Sequence, residues 1–136
     1  MKTNFNFNNN NNNTDNDIVL LYQSARNTNN YQDLHNLRVL AYNNNWLSQI
    51  ETHYPIEVIK KTIGRKGCNF IKKTEQNNLL SIWYDSNTNV IEFWGNNYNN
   101  RLNAIFAIQN NLNRNLNYYN QKQINNQQQP TTTKFN

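Results

Sequence analysis

The apolar positions change period several times between residues 46 and 120, and each change marks an element. Trp46, Ser48, Ile50, Thr52 and Tyr54 alternate with Leu47, Gln49, Glu51 and His53. A two-residue period with aromatic and β-branched residues predicts a strand over 46–54. Pro55 ends it, and Pro suits the first turn of a helix because its missing N–H needs no partner there. Ile56, Ile59 and Ile63 then recur at helical spacing, which predicts a short helix running into Gly64. A second helix is predicted from Cys68 to about Gln76, with Phe70 as its core contact. Gln76-Asn77-Asn78 reads as a turn and Leu79–Tyr84 as a strand. Asp85–Asn89 is a five-residue loop of turn formers, and Val90–Trp94 is the returning strand of a hairpin, ended by Gly95. Leu80, Ile82, Ile91 and Phe93 are expected to face helices, with Ser81, Trp83, Val90, Glu92 and Trp94 facing away. Leu102, Ile105, Ile108, Leu112 and Leu116 form one stripe at three- and four-residue steps, predicting a last helix from about Asn99 to Asn120.

Outside this core the pattern weakens. Residues 1–16 are low in complexity, with an Asn run from Asn8 to Asn13, and are expected to be disordered. Asp17–Tyr22 is a short β-favouring run, broken by Asn27–Asn30. Tyr31, Leu34, Leu37 and Ala41 fall at helical spacing, so a helix is preferred over a strand through Leu37–Tyr42. Residues 17–45 are therefore an extension expected to pack on the core at 46–120, and 121–136 a second disordered tail. The fold class is α+β.

Composition adds less than the placement of charge. The chain has 136 residues, a net charge of +5 and a pI near 9.4, yet only 15% of it is charged. An AT-rich coding genome would produce the Asn bias by mutation alone. Lys60, Lys61, Arg65, Lys66, Lys72 and Lys73 make up nearly half of all Lys and Arg and fall in one short window. Such a concentration suggests an anionic partner, although a charge run is more often a solvated helix face. One cysteine excludes an internal disulfide framework. No apolar run approaches a membrane span or the core of a signal peptide, so no membrane partner is expected and an intracellular location is.

The window is organised around Ile63-Gly64-Arg65-Lys66-Gly67-Cys68-Asn69-Phe70-Ile71-Lys72-Lys73. Gly takes backbone angles closed to other residues and lets another backbone come close. Here it also opens a helix N-terminus, where the dipole favours anions, and Arg65 and Lys66 add positive charge at the same place. The stretch resembles the GXXG loop of the KH domain, a single-stranded nucleic-acid-binding module whose loop clamps the backbone of about four nucleotides. The flanks are similar too. Pro55 stands at a matching distance from the first loop Gly, Phe93-Trp94-Gly95 resembles the family's strand ending, and Ala104 to Ile108 its Ala-x-x-x-Ile helix. Lys73, Ile71 and Thr62 depart from the pattern. The resemblance implies a KH-like β-α-α-β-β-α core of type I, a three-stranded antiparallel sheet packed on three helices, with the N-terminal extension added.

It also implies a function. Gly64 and Gly67 would allow close approach of a strand, Arg65 and Lys66 would contact phosphates, Lys72 would add charge on the next helix, and Ile59, Ile63, Ile71 and Ile82 would offer an apolar groove for unstacked bases. The expected partner is single-stranded RNA or single-stranded DNA, RNA first. Core packing is the competing role for each isoleucine. Trp83 and Trp94 would form an aromatic patch on the other sheet face, where three readings compete: cover by residues 17–42, self-association, or base stacking. The alternative function is a protein-interaction or self-association module using that face without nucleic acid. No enzyme, cofactor or metal site is expected. Cys68 beside basic residues would want His35 or His53 as a base, but a small packing residue accounts for it, and two His with one Cys make no metal-ligand spacing.

Overall fold

The structure, a computed structural model, describes residues 12–133. The Asn tract before Asn12 and the last three residues lie outside the described residues. The elements are α1 (Asn12–Thr28), α2 (Tyr31–Asn43), β1 (Leu47–Glu51), α3 (Ile56–Ile63), α4 (Cys68–Gln76), β2 (Ser81–Asp85), β3 (Val90–Trp94) and α5 (Tyr98–Thr133), with a single 3-10 turn at Arg65–Gly67 between α3 and α4.

The strands form one antiparallel sheet in the order β1-β3-β2. β3 is central, pairing Phe93 with Ser48 and Ile82, and Glu92 with Gln49 and Trp83. Alternate side chains therefore serve two cores. Ile82, Ile91 and Phe93 pack with Val58, Ile59, Phe70, Ala104, Ile108 and Leu112 of α3, α4 and α5. Trp94 and Leu47 pack on the opposite face against Ile18, Val19, Tyr22 and Ala25 of α1 and Leu34, Leu37 and Ala41 of α2. The sheet is thus covered by helices on both faces, and the core from β1 to α5 has the expected succession of elements. β1 is shorter than the alternating stretch. Trp46, ahead of it, turns to the α1–α2 side, as does Leu80 ahead of β2, while Leu79 takes the place expected of Leu80.

The extension differs from expectation. The β-favouring run at Asp17–Tyr22 is helical, and α1 starts at Asn12, inside the segment read as disordered. Its buried positions are Asp15, Ile18, Val19, Tyr22 and Ala25, a helical series that overrides the local strand preference of Ile18-Val19. Asp15 is fixed by Trp46, whose indole N–H donates to Oδ1 at 2.7 Å, and by Asn96, which donates to Oδ2 at 3.3 Å. Of the predicted α2 stripe, Leu34, Leu37 and Ala41 are buried and Tyr31 is exposed. At the other end α5 continues past Asn120 to Thr133, through most of the segment read as a disordered tail.

Asparagine does the work of glycine at the turns. Asn29, Asn45, Asn78 and Asn89 all have positive φ, between 52° and 59°, at the α1–α2, α2–β1, α4–β2 and β2–β3 junctions. Asn enters this region more readily than other residues with a Cβ. With three glycines in the chain, this use of Asn gives the compositional bias a structural role at those four positions.

Candidate nucleic-acid interface

α3 buries Val58, Ile59 and Thr62, so its inward face is centred between the isoleucines that the sequence set on one stripe. Ile59 is 1% exposed and Ile82 6% exposed. Both are core residues, and neither belongs to the ligand surface expected of them. Ile56 is half exposed and Ile63 half-buried. With Lys60 they share one flank of α3 at three- and four-residue steps. Thr62, one of the departures from the KH pattern, is buried. Its hydroxyl is satisfied, donating to the Val58 carbonyl at 2.8 Å and accepting from Asn115 of α5 at 3.0 Å.

α3 ends on Gly64, at φ 86° and ψ 164°, in backbone space that only Gly enters freely. A Cβ there would come within 2.8 Å of the Asn69 nitrogen and 2.9 Å of Cys68 Sγ. Lys66 follows at φ 55° and Gly67 at φ 76° and ψ 14°, both left-handed. A Cβ on Gly67 would meet nothing nearer than Ile71 Cδ1 at 3.9 Å. The two glycines therefore differ: Gly64 lets α4 close against the end of α3, and Gly67 leaves open space over the turn. Asn69 locks the closure by donating to the Thr62 carbonyl at 2.8 Å.

Several amides of the turn are used within it. Gly64 N–H donates to Lys60 C=O, Gly67 N–H to Gly64 C=O and Cys68 N–H to Arg65 C=O. Attraction for an anion thus falls mainly to side chains. Arg65, Lys66 and Lys72 are exposed, and Ile71 is 48% exposed one turn beyond Gly67. The structure brings together Ile63, Gly64, Arg65, Lys66, Gly67, Ile71 and Lys72 around one hairpin. Lys61 leaves this group for the opposite flank of α3, and Lys73 donates to Gln76 at 3.4 Å.

The charge around the hairpin is uncompensated. Residues 56–76 carry Lys60, Lys61, Arg65, Lys66, Lys72 and Lys73 against Glu57 and Glu75, a net charge of +4. The Arg and Lys ion pairs among the described residues involve Arg26 and Arg38 instead. Arg26 and Arg38 lie on the far sheet face, where buried Glu92 accepts from both, from Gln49, and where Asp85 also meets Arg38.

The aromatic patch on that face is covered at Trp94 and partly open at Trp83. Trp94 is fully buried beneath α1, its ring 4.7 Å from that of Tyr22, and has no surface with which to self-associate. Trp83 is 43% exposed, with the Arg26 guanidinium 3.8 Å from its ring centroid. Burial raises the Tyr22 pKa, against the opposing effects of Arg26 and of the hydrogen bond its hydroxyl donates to Ser81 at 2.6 Å.

Arg101 was not singled out by the sequence. It is 1% exposed at the start of α5 and donates to the carbonyls of Asn45 and Gly95, to Asn45 Oδ1 and to Ser48 Oγ. It latches α5 to the ends of β1 and β3. Burial lowers its pKa, with Tyr98 opposing.

Cys68 is an exposed free thiol, and His35 lies on α2, across the sheet from it. No cluster of three or more His, Cys, Asp or Glu able to hold a metal ion occurs among the described residues, and no helix among them is long and apolar enough to cross a membrane. Compared with models of known protein families, with curated proteins and with solved structures, the chain matches none.

Proposed function

We propose that this chain is a single-stranded nucleic-acid-binding protein whose clamp is the Gly64–Gly67 turn, with RNA the first ligand to test. The observation that carries the reading is the uncompensated positive charge of the α3–α4 hairpin around an open, glycine-bracketed turn. A basic helix face kept only for solubility has no need of a backbone held at positive φ at three of four residues, Gly64, Lys66 and Gly67. Arg65 and Lys66 would meet phosphates at the apex and Lys72 a further one on α4. Ile71, with part of Ile63, would offer apolar surface to an unstacked base. The resemblance to the KH loop supports the same ligand class from the residue pattern.

Contacts to two or three phosphates give a slope of log K against log salt of about −1.4 to −2 for a single strand. Fluorescence anisotropy with short labelled RNA and DNA strands tests this, with the wild type beside Arg65→Asp/Lys66→Asp. Asp tolerates left-handed backbone, so the Lys66 conformation survives the change, and circular dichroism checks the fold. Salt-sensitive wild-type binding that disappears in the folded double variant is the expected result. Equal binding by both proteins, or none by the wild type, overturns the proposal.

A further inference from the structure

Lys61 turns away from the glycine turn toward α5. Its Nζ lies 3.8 Å from the centroid of the Tyr118 ring, and Lys122 Nζ lies 5.3 Å from the same centroid. Tyr118 is half exposed, and both lysines are exposed. Arg114, also exposed, stands one turn before Tyr118, so Arg114, Tyr118 and Lys122 share one face of α5. An ammonium over an exposed ring is held there by a modest electrostatic attraction to the ring face. That is enough to favour one placement of each lysine while leaving N–H donors to the solvent.

The ordinary reading of such a stripe is a solvated face neutralised by carboxylates one turn away. On α5 the chain does not supply them. No Asp or Glu follows Glu92 in the sequence, so α5 is a helix without a single acid. Glu57, one turn before Lys61, forms no ion pair with it. The location matters as well. Lys61 lies three residues before Gly64, and its neighbour Thr62 is bonded to Asn115, so the stripe adjoins the glycine turn across the end of α3.

We infer that Lys61 and Lys122, over the Tyr118 ring, and Arg114, one turn before it on the same face of α5, form a second phosphate track. It continues the path of a single strand leaving the Gly64–Gly67 turn. The occupant is the backbone of the same single-stranded nucleic acid, a run of regularly spaced anions that matches cations placed on two adjacent elements. The inference rests on the nucleic-acid reading of the turn and adds a length requirement to it. A strand that only fills the turn gains nothing from α5, and a longer one gains two or three phosphate contacts, each steepening the salt slope by about 0.7.

The test compares labelled oligouridines of about five and about twelve nucleotides, lengths set by the roughly four-nucleotide reach of such a loop. A longer strand also offers more binding registers, so the salt slope decides rather than affinity alone. In the wild type the slope is expected to be steeper for the 12-mer than for the 5-mer by about 1.4 or more. Lys61→Ala/Lys122→Ala should bind the 5-mer as the wild type does. On the 12-mer it should lose about tenfold in affinity and return to nearly the 5-mer slope, a change of about 0.7 for each lost contact. An unchanged 12-mer slope in this variant, or equal losses at both lengths, overturns the second track. Wild-type 5-mer binding that Arg65→Asp/Lys66→Asp abolishes would leave the turn standing in either case. No salt-sensitive binding at either length would overturn both.

Discussion

The two glycines of the turn should respond to substitution in opposite ways, and the contrast can be worked from the backbone. At Gly64 the angles of 86° and 164° lie in a region essentially closed to residues with a Cβ, at a cost of about 1–3 kcal/mol. The added Cβ would also press on the Asn69 backbone nitrogen at 2.8 Å, and that nitrogen is held by the start of α4. Overpacking of this kind costs about 1–3 kcal/mol more. Gly64→Ala should therefore lose about 3–4 kcal/mol. Gly67 sits at 76° and 14° with open space around it. Ala would cost about 1–2 kcal/mol there, and Asn, which enters the left-handed region readily, less than about 1 kcal/mol. Urea unfolding followed by circular dichroism reads this directly. With a slope near 1.5 kcal/mol per molar, Gly64→Ala should lower the midpoint by about 2 M and Gly67→Asn by about 0.5 M or less. Binding should divide the pair the other way: folded Gly67→Asn loses affinity because its side chain occupies the space left for a strand. Losses of equal size at the two positions would refute the division of roles.

Other outcomes follow from the layers around the turn. Arg101→Ala removes a fork that satisfies the Asn45 and Gly95 carbonyls and should cost about 2–4 kcal/mol, measured by the same unfolding curves. A loss below about 0.5 kcal/mol would mean water replaces the guanidinium without penalty. Tyr22 has a pKa raised by burial in the folded protein, so the unfolded chain gives up its phenolic proton first. The stability this contributes is fully present below a pH of about 10 and is lost as pH rises through the folded pKa. Tyr22→Phe should flatten that alkaline decline in a series of denaturation curves, and an unchanged decline would remove Tyr22 as its source.

Much of this arrangement is legible in the sequence because period and turn chemistry agree from Leu47 to Leu116. The alternating strands, the stripe on α5 and the glycine turn are local signals, and the structure keeps them. α1 is harder to read because its strongest local cue, Ile18-Val19, favours strand. The helical series depends on Asp15 and Ala25, which lie outside that run. The burial of Ile59 was available in principle: Val58 and Thr62 flank it on the inward face, whereas a three-isoleucine stripe does not say which member lies at its centre. Arg101 gives no local sign at all. Its partners at positions 45, 48 and 95 are brought to it only by the tertiary fold. The Asn residues between elements carry a readable signal, because a left-handed residue is found at each of these turns and Gly is scarce.

The most direct test of the central claim is a titration of isotopically labelled protein with a short single-stranded RNA, followed by amide chemical shifts. Binding at the Gly64–Gly67 turn should give saturable, salt-sensitive shifts that are largest from Ile63 to Lys72, with the α1–α2 hairpin unmoved. Shifts centred on the exposed Leu20, Leu21 and Val39 of that hairpin, or none at any concentration, would contradict it.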